Sequence, residues 1–255
     1  HLIAILIKPW GLHKAAINGH DLVLAIFIPY LLINQTDETE EKQMFSMFTK
    51  KLEMPAPENA LPGRDAPILN PQPHAVTGNP IVPPFPEGMQ RILLGMGCFW
   101  GAERLFWQTK GVWTTSVGYA GGYTKNASYR EVCSGETGHT EVVEVVFDPD
   151  VIDLNGILKI FWENHDPTQG MRQGNDIGTQ YRSAIYADNA AMLAEAEASF
   201  KAYQAALSAQ GMPPITTELA LADEYYLAED DHQQYLYKNP NGYCGIRGTG
   251  VSCPI

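Results

Sequence analysis

The spacing of apolar positions changes several times along this chain, and each change marks an element. Residues 92–96 form a short apolar run closed by glycine, and residues 99–108 set Phe99, Trp100, Leu105 and Phe106 around Glu103 and Arg104. That pattern predicts a strand, a tight turn and a helix. Residues 112–119 and 141–147 alternate or run in β-branched residues, the second ending at Asp148-Pro149, and predict two strands joined by a Gly-rich loop. A helix follows over 157–164, a strand over 181–187, an Ala-rich amphipathic helix over 190–209 stopped by Gly211 and Pro213-Pro214, and a last strand over 215–220. The order β-α-β-β-α-β-α-β is too irregular for a doubly wound parallel sheet. It predicts an α+β fold, a mixed or antiparallel sheet with helices packed on it, an elaborated ferredoxin-like plait with a long irregular C-terminal tail over about 222–255.

Ahead of this pattern the chain reads differently. Ten of the 18 prolines fall between residues 54 and 88, which forbids regular ladders and makes 47–88 an irregular lead-in to a catalytic domain over 89–255. Residues 1–46 carry apolar runs at 2–7 and 22–33, but the longer has 12 residues and contains Pro29, short of the ~20 that span a bilayer. It runs into Asn34-Gln35-Thr36-Asp37-Glu38 rather than a small-x-small cleavage site, so a signal peptide is not indicated. These residues read as an N-terminal extension, with Met47 as an internal start.

At 255 residues, against ~150 for an average domain, one large domain with additions is expected. Apolar residues make up 45% and charged residues 18%, which excludes wholesale disorder. The formal net charge of −12 lacks the basic footprint of a nucleic-acid binder. The expected protein is a cytoplasmic monomer without nucleic-acid or membrane partners.

Four cysteines, at 98, 133, 244 and 253, are too few for a disulfide scaffold, and no Cys-x-x-Cys or His-x₃₋₅-His spacing points to a structural zinc, so no metal is expected. Gly95-Met96-Gly97-Cys98-Phe99-Trp100-Gly101 places a thiol where a strand turns into a helix. The unpaired amides and positive dipole end of the first turn favour its thiolate, so Cys98 is the candidate nucleophile. A dinucleotide-binding turn lacks its acid about 20 residues on, since the next acid after Glu103 is Glu131. A papain-like cysteine hydrolase is the alternative, because His232 and Asn239 lie 134 and 141 positions beyond Cys98, although the local hydrolase signature is missing.

The run Gly97-Cys98-Phe99-Trp100-Gly101-Ala102-Glu103 resembles the active-site motif of the peptide-methionine (S)-sulfoxide reductases, the methionine sulfoxide reductase A family. The resemblance continues through Gly118-Tyr119-Ala120-Gly121-Gly122, Tyr129-Arg130-Glu131-Val132, Gly138-His139-Thr140-Glu141, Trp162-Glu163-Asn164-His165-Asp166-Pro167, the stretch from Gln173 to Ser183, and Tyr243-Cys244-Gly245, covering about 57–255.

The resemblance implies an enzyme that reduces methionine (S)-sulfoxide, free or in proteins, with Cys98 attacking sulfur and becoming a sulfenic acid. Glu141 is then the general acid, which must be held protonated by burial, while Tyr129 and Tyr181 bind the sulfoxide oxygen. Without the motif, Glu141 reads as an exposed strand acid. Phe99 and Trp100 are implied to hold the substrate methyl group, with Asp176, Tyr235 and Tyr243 around the site. Cys244 and Cys253, nine apart on a segment with glycines at 245, 248 and 250, form a mobile relay that carries oxidation outward by disulfide exchange. Thioredoxin is the implied reductant, with dithiothreitol as a substitute and no organic cofactor. Cys133 matches no catalytic role. This reading requires Cys98 to reach solvent and Glu141 to lie on the same side of the sheet.

Overall fold

The structure is a computed structural model and describes residues 52–255. The extension over 1–46 and the start at Met47 lie outside the described residues. Among the described residues, no helix is long and apolar enough to cross a membrane.

Among the described residues, eight strands and five α-helices follow in chain order: β1 (Gln90–Met96), α1 (Phe99–Trp107), β2 (Val112–Ala120), α2 (Tyr129–Ser134), β3 (Thr140–Phe147), α3 (Leu154–Asn164), β4 (Arg172–Gln173), β5 (Asp176–Ile177), β6 (Ser183–Ala187), α4 (Ala190–Ala209), β7 (Glu218–Leu221), β8 (Tyr225–Leu227) and α5 (Tyr235–Lys238). Six strands form one sheet in the order β7-β6-β1-β3-β2-β8, and β4 and β5 form a separate hairpin. The inner four strands, β6-β1-β3-β2, pair antiparallel and make the expected ferredoxin-like plait; α4 crosses over to add β7 in parallel at one edge, and β8 extends the other.

The helices cover one face. Ile92, Leu94 and Met96 of β1, Val143 and Val145 of β3, and Ile185 of β6 meet Phe106 of α1, Phe161 and Trp162 of α3, and Tyr203 of α4 in a single buried cluster. Full burial of each such side chain contributes about 1.5–3 kcal/mol, enough to fix which face each strand turns inward.

Several boundaries differ from expectation for local reasons. The helix predicted over 157–164 starts at Leu154 because the Asp153 side chain accepts the Gly156 N–H at 2.8 Å. Tyr181 does not open a strand. It ends a 3₁₀ turn, Thr179–Tyr181, and β6 begins two residues later. The last predicted strand begins at Glu218 rather than 215, since the Ile215 and Thr216 amides are taken by the Gln204 side chain and the Pro167 carbonyl. The Gly-rich loop before β3 holds an unpredicted helix, α2, nucleated by a Ser128/Glu131 capping box and ended by Gly135 in the left-handed conformation.

Among its described residues the proline-rich lead-in holds a 3₁₀ turn at Pro57–Asn59 and an isolated parallel bridge from Gly63 to Lys125, and it is packed onto the domain. His74 is buried and its Nε2 lies 3.0 Å from Thr115 Oγ1 of β2, Ile81 is buried, and Arg64 pairs with Glu131 at 2.8 Å.

Candidate active site

Cys98 is the N-cap of α1, directly after Gly97, whose φ of +84° and whose approach to Gln173 leave no room for a side chain: a Cβ would lie 2.5 Å from that of Gln173. The turn therefore aims the thiol out of the end of β1, where it is half-buried and reaches solvent. Glu141 projects from the start of β3 on the helix-covered side, with 1% of its surface exposed. The Phe99 N–H donates to its Oε2 at 3.0 Å, so the first free amide of α1 joins the acid to the residue after Cys98.

The electrostatics follow from burial. Burial raises the Glu141 carboxyl to about 8, against the Phe99 hydrogen bond, and the Asp176 charge adds to the rise. At neutral pH the group keeps its proton and can donate it. Burial, followed by the Glu141 charge, also pushes the Cys98 thiol up, and the Trp100 N–H at the helix start opposes this without overcoming it. The helix start does favour the thiolate, through the Trp100 N–H, but desolvation is the larger effect and pushes Cys98 toward its protonated form.

Tyr129 and Tyr181 reach this pair from different elements. Burial first, then the Glu141 charge, pushes both phenols upward, so both remain hydrogen-bond donors. Tyr129 opens α2, and its N–H donates to Glu229 Oε1 at 2.9 Å while the Tyr119 hydroxyl donates to Oε2 at 3.2 Å. Cys133, one turn along α2, interacts with the Tyr129 side chain and lies near enough to Tyr119 and Tyr181 to act on them electrostatically.

Phe99 is buried against Tyr119, and Trp100 is half-buried beside it. Tyr235 stacks on the Trp100 ring with centroids 4.0 Å apart, and the His232 ring packs on Tyr129 at 4.3 Å and on Trp100 at 5.8 Å. Of His232, Glu229, Gln233 and Gln234, the sequence pattern singles out only His232, as the candidate base of a hydrolase, and gives no sign of the other three. The structure brings all four to the site or its support: Gln234 gives its backbone and side-chain N–H to the buried Glu103 carboxylate at 2.8 and 2.7 Å, and Gln233 exchanges hydrogen bonds with Val117 of β2. No local signal marks these partners, because they lie a hundred or more residues apart.

The hydrolase reading fails on this geometry. His232 Nδ1 accepts the Trp100 indole N–H at 3.2 Å, so that lone pair is not available to a thiol, and Asn239 donates to the Tyr235 carbonyl rather than orienting His232. Among the described residues, no group of three or more His, Cys, Asp or Glu is arranged to hold a metal ion.

The tail is irregular after Lys238 but tethered. The Tyr243 hydroxyl donates to Asp176 Oδ2 at 3.1 Å, and the exposed Cys244 sulfur accepts from Arg104 Nη2 at 3.0 Å. Gly248 passes so close to the Glu163 carbonyl that a Cβ there would overlap the oxygen. Tyr203 bonds Thr249 and the Val251 carbonyl, and the Cys253 N–H donates to Glu163 Oε1 at 2.8 Å. Cys253 itself is 2% exposed and belongs to the main apolar cluster. The structure therefore brings Cys244 to α1 but not Cys253, and the glycines here serve close packing as much as freedom.

A model of the family described as peptide methionine sulfoxide reductase matches residues 90–251. The chain is 61% identical over 211 residues to a peptide methionine sulfoxide reductase MsrA of Brucella ovis, covering 83% of this chain and 97% of that protein, and 60% identical over the same length to one of Brucella melitensis. Among solved structures, methionine sulfoxide reductase A of Corynebacterium diphtheriae superposes with a TM-score of 0.72 at 50% identity, covering 80% of this chain and 99% of that one. Reduced Mxr1 of Saccharomyces cerevisiae gives 0.57 at 35% identity, covering 67% and 92%. With a thiol at a strand-to-helix turn and a buried, protonated acid beside it, the chain belongs to the peptide methionine sulfoxide reductase family and is a thiol-dependent methionine sulfoxide reductase.

Proposed function

We propose that this chain reduces methionine (S)-sulfoxide, free or within proteins, by the following division of labour. Cys98 attacks the sulfoxide sulfur while Glu141 gives its proton to the oxygen; methionine leaves and the oxygen stays on Cys98 as a sulfenic acid. The Tyr129 and Tyr181 hydroxyls steady that oxygen as it gains charge, and Phe99 and Trp100 hold the methyl group. Substrate entry replaces water around the thiol, and because Glu141 is neutral it does not repel the thiolate that forms. Cys244 then displaces the sulfenic oxygen, and a disulfide with Cys253 carries the oxidation on to thioredoxin. Sulfur carries every electron, so the reaction needs no metal or organic cofactor.

One observation carries the reading: the 3.0 Å bond from the Phe99 N–H to Glu141, which places a proton-bearing acid next to the nucleophile inside the fold. Incubation with a racemic methionine sulfoxide and dithiothreitol, followed by chiral analysis, tests it. The S epimer should vanish and the R epimer remain; release of no methionine would overturn the reading. Ser at both Cys244 and Cys253 should leave one methionine released per chain and stop turnover with thioredoxin.

A further inference from the structure

Cys244 is the exposed partner in the second step, and the structure shows what holds it. Arg104 lies on α1, six residues after Cys98, and its guanidinium donates to Cys244 Sγ at 3.0 Å. On the same side of the helix Gly101 leaves a notch: a Cβ there would meet Cys244 Sγ at 3.0 Å and Ile246 Cγ1 at 2.9 Å. A second tie comes from Tyr243, whose hydroxyl donates to Asp176. The helix that presents the nucleophile at its N-cap thus also carries, in its first two turns, a seat for the sulfur that must attack it.

We propose that Gly101 and Arg104 form a docking cradle for the resolving thiol, with Arg104 acting as a catalytic residue of the second half-reaction by touching the attacking sulfur. The step is Cys98–SOH plus Cys244–SH giving the Cys98–Cys244 disulfide and water: the S–S bond forms, the S–O bond breaks, and the Cys244 proton leaves with the hydroxyl oxygen. The Cys98 sulfur gains one electron and the Cys244 sulfur loses one. The attacking species in such exchanges is anionic, and a guanidinium fixed on that sulfur supplies the opposite charge where it is needed and limits the directions from which it approaches. The small notch at Gly101 lets the sulfur lie against the helix backbone close to Cys98.

This inference rests on the reductase reading, and one experiment separates the two. Fully reduced enzyme is mixed with methionine sulfoxide without reductant and quenched over time; methionine, trapped sulfenic acid and the Cys98–Cys244 disulfide are measured on the same samples. In Arg104→Met the rate of disulfide formation should fall at least tenfold relative to the rate of methionine release, and sulfenic acid should accumulate. Arg104→Lys, which keeps a charge but loses the planar fork, should recover part of the ratio. Gly101→Ala should lower the same ratio by filling the notch, while favouring the helix itself. A ratio within twofold of the parent in both Arg104→Met and Gly101→Ala would overturn the cradle. Failure of the parent enzyme to release methionine would instead overturn the reductase reading.

Discussion

Cys98 stands at the joint of a central strand and a buried helix, whereas Cys253 is carried by a stretch with no helix or strand beyond Lys238. Burial raises both thiols above their ordinary range, yet the two environments differ in how they could open. The position of Cys98 is shared by the β1 ladder and the packing of α1, so moving it means unpacking the core. Cys253 is itself buried in the main apolar cluster, but the irregular segment around it is held by the bonds of Tyr203 and Glu163 and by the fit of Gly248, and each such bond contributes only about 0.5–1.5 kcal/mol. Under the proposed reaction, the sulfur that meets substrate at a set distance is built on regular structure, while the sulfur that travels is carried by a segment fastened by separate contacts.

The largest effect that separates these regions is chemical. Glu141→Gln keeps the acceptor for the Phe99 N–H but cannot give up a proton, and methionine release in a single turnover should slow by about 10²–10⁴-fold. A change under tenfold would move the proton donor elsewhere. The same variant should be more stable than the parent. Between the ordinary 4.5 and about 8, the folded chain holds a proton on Glu141 that the unfolded chain has lost, so its favourable contribution, complete below 4.5, is lost as pH rises through that window. Urea melts at pH 5, 6, 7 and 8 should show the variant's advantage growing to a few kcal/mol; a constant offset would contradict it.

On the tail, Gly248→Ala forces a methyl group into the Glu163 carbonyl. Overpacking costs about 1–3 kcal/mol, and alkylation of Cys253 by N-ethylmaleimide in the native protein should rise about tenfold, with little change in the alkylation of Cys98. Equal changes at both sulfurs would show that the regions open together. The smallest effect concerns α2. Ser128→Ala removes half of the capping box and should cost about 1 kcal/mol, lowering the melting temperature by about 2–4 °C; no shift would mean that Glu229 and the Arg64–Glu131 pair hold the helix without it.

The sequence pattern revealed the plait well because its signals are short-ranged: glycines frame β1, and Asp148-Pro149 and Gly211 end elements where they stand. The α2 helix was missed although Ser128-x-x-Glu131 was there to read, since six residues give no amphipathic period. Glu141 reads alone as an ordinary strand acid; its burial depends on Phe99 and Tyr119 folding over it. The tethers of the tail and the bond between Gln234 and Glu103 join residues far apart in the chain, and no local pattern encodes such pairs.

The placement of Cys253 among hydrocarbon side chains bears on damage as well as on turnover. Peroxides act on thiolates that water can reach, and repeated attack drives a sulfur to sulfinic acid, from which thiol reductants do not retrieve it. A protonated thiol buried in the main apolar cluster near Tyr203 is shut off from dissolved oxidants while its segment stays docked. The molecule thereby keeps one reducing equivalent in reserve inside its own hydrophobic interior, spared during the exposure that its other sulfurs must endure.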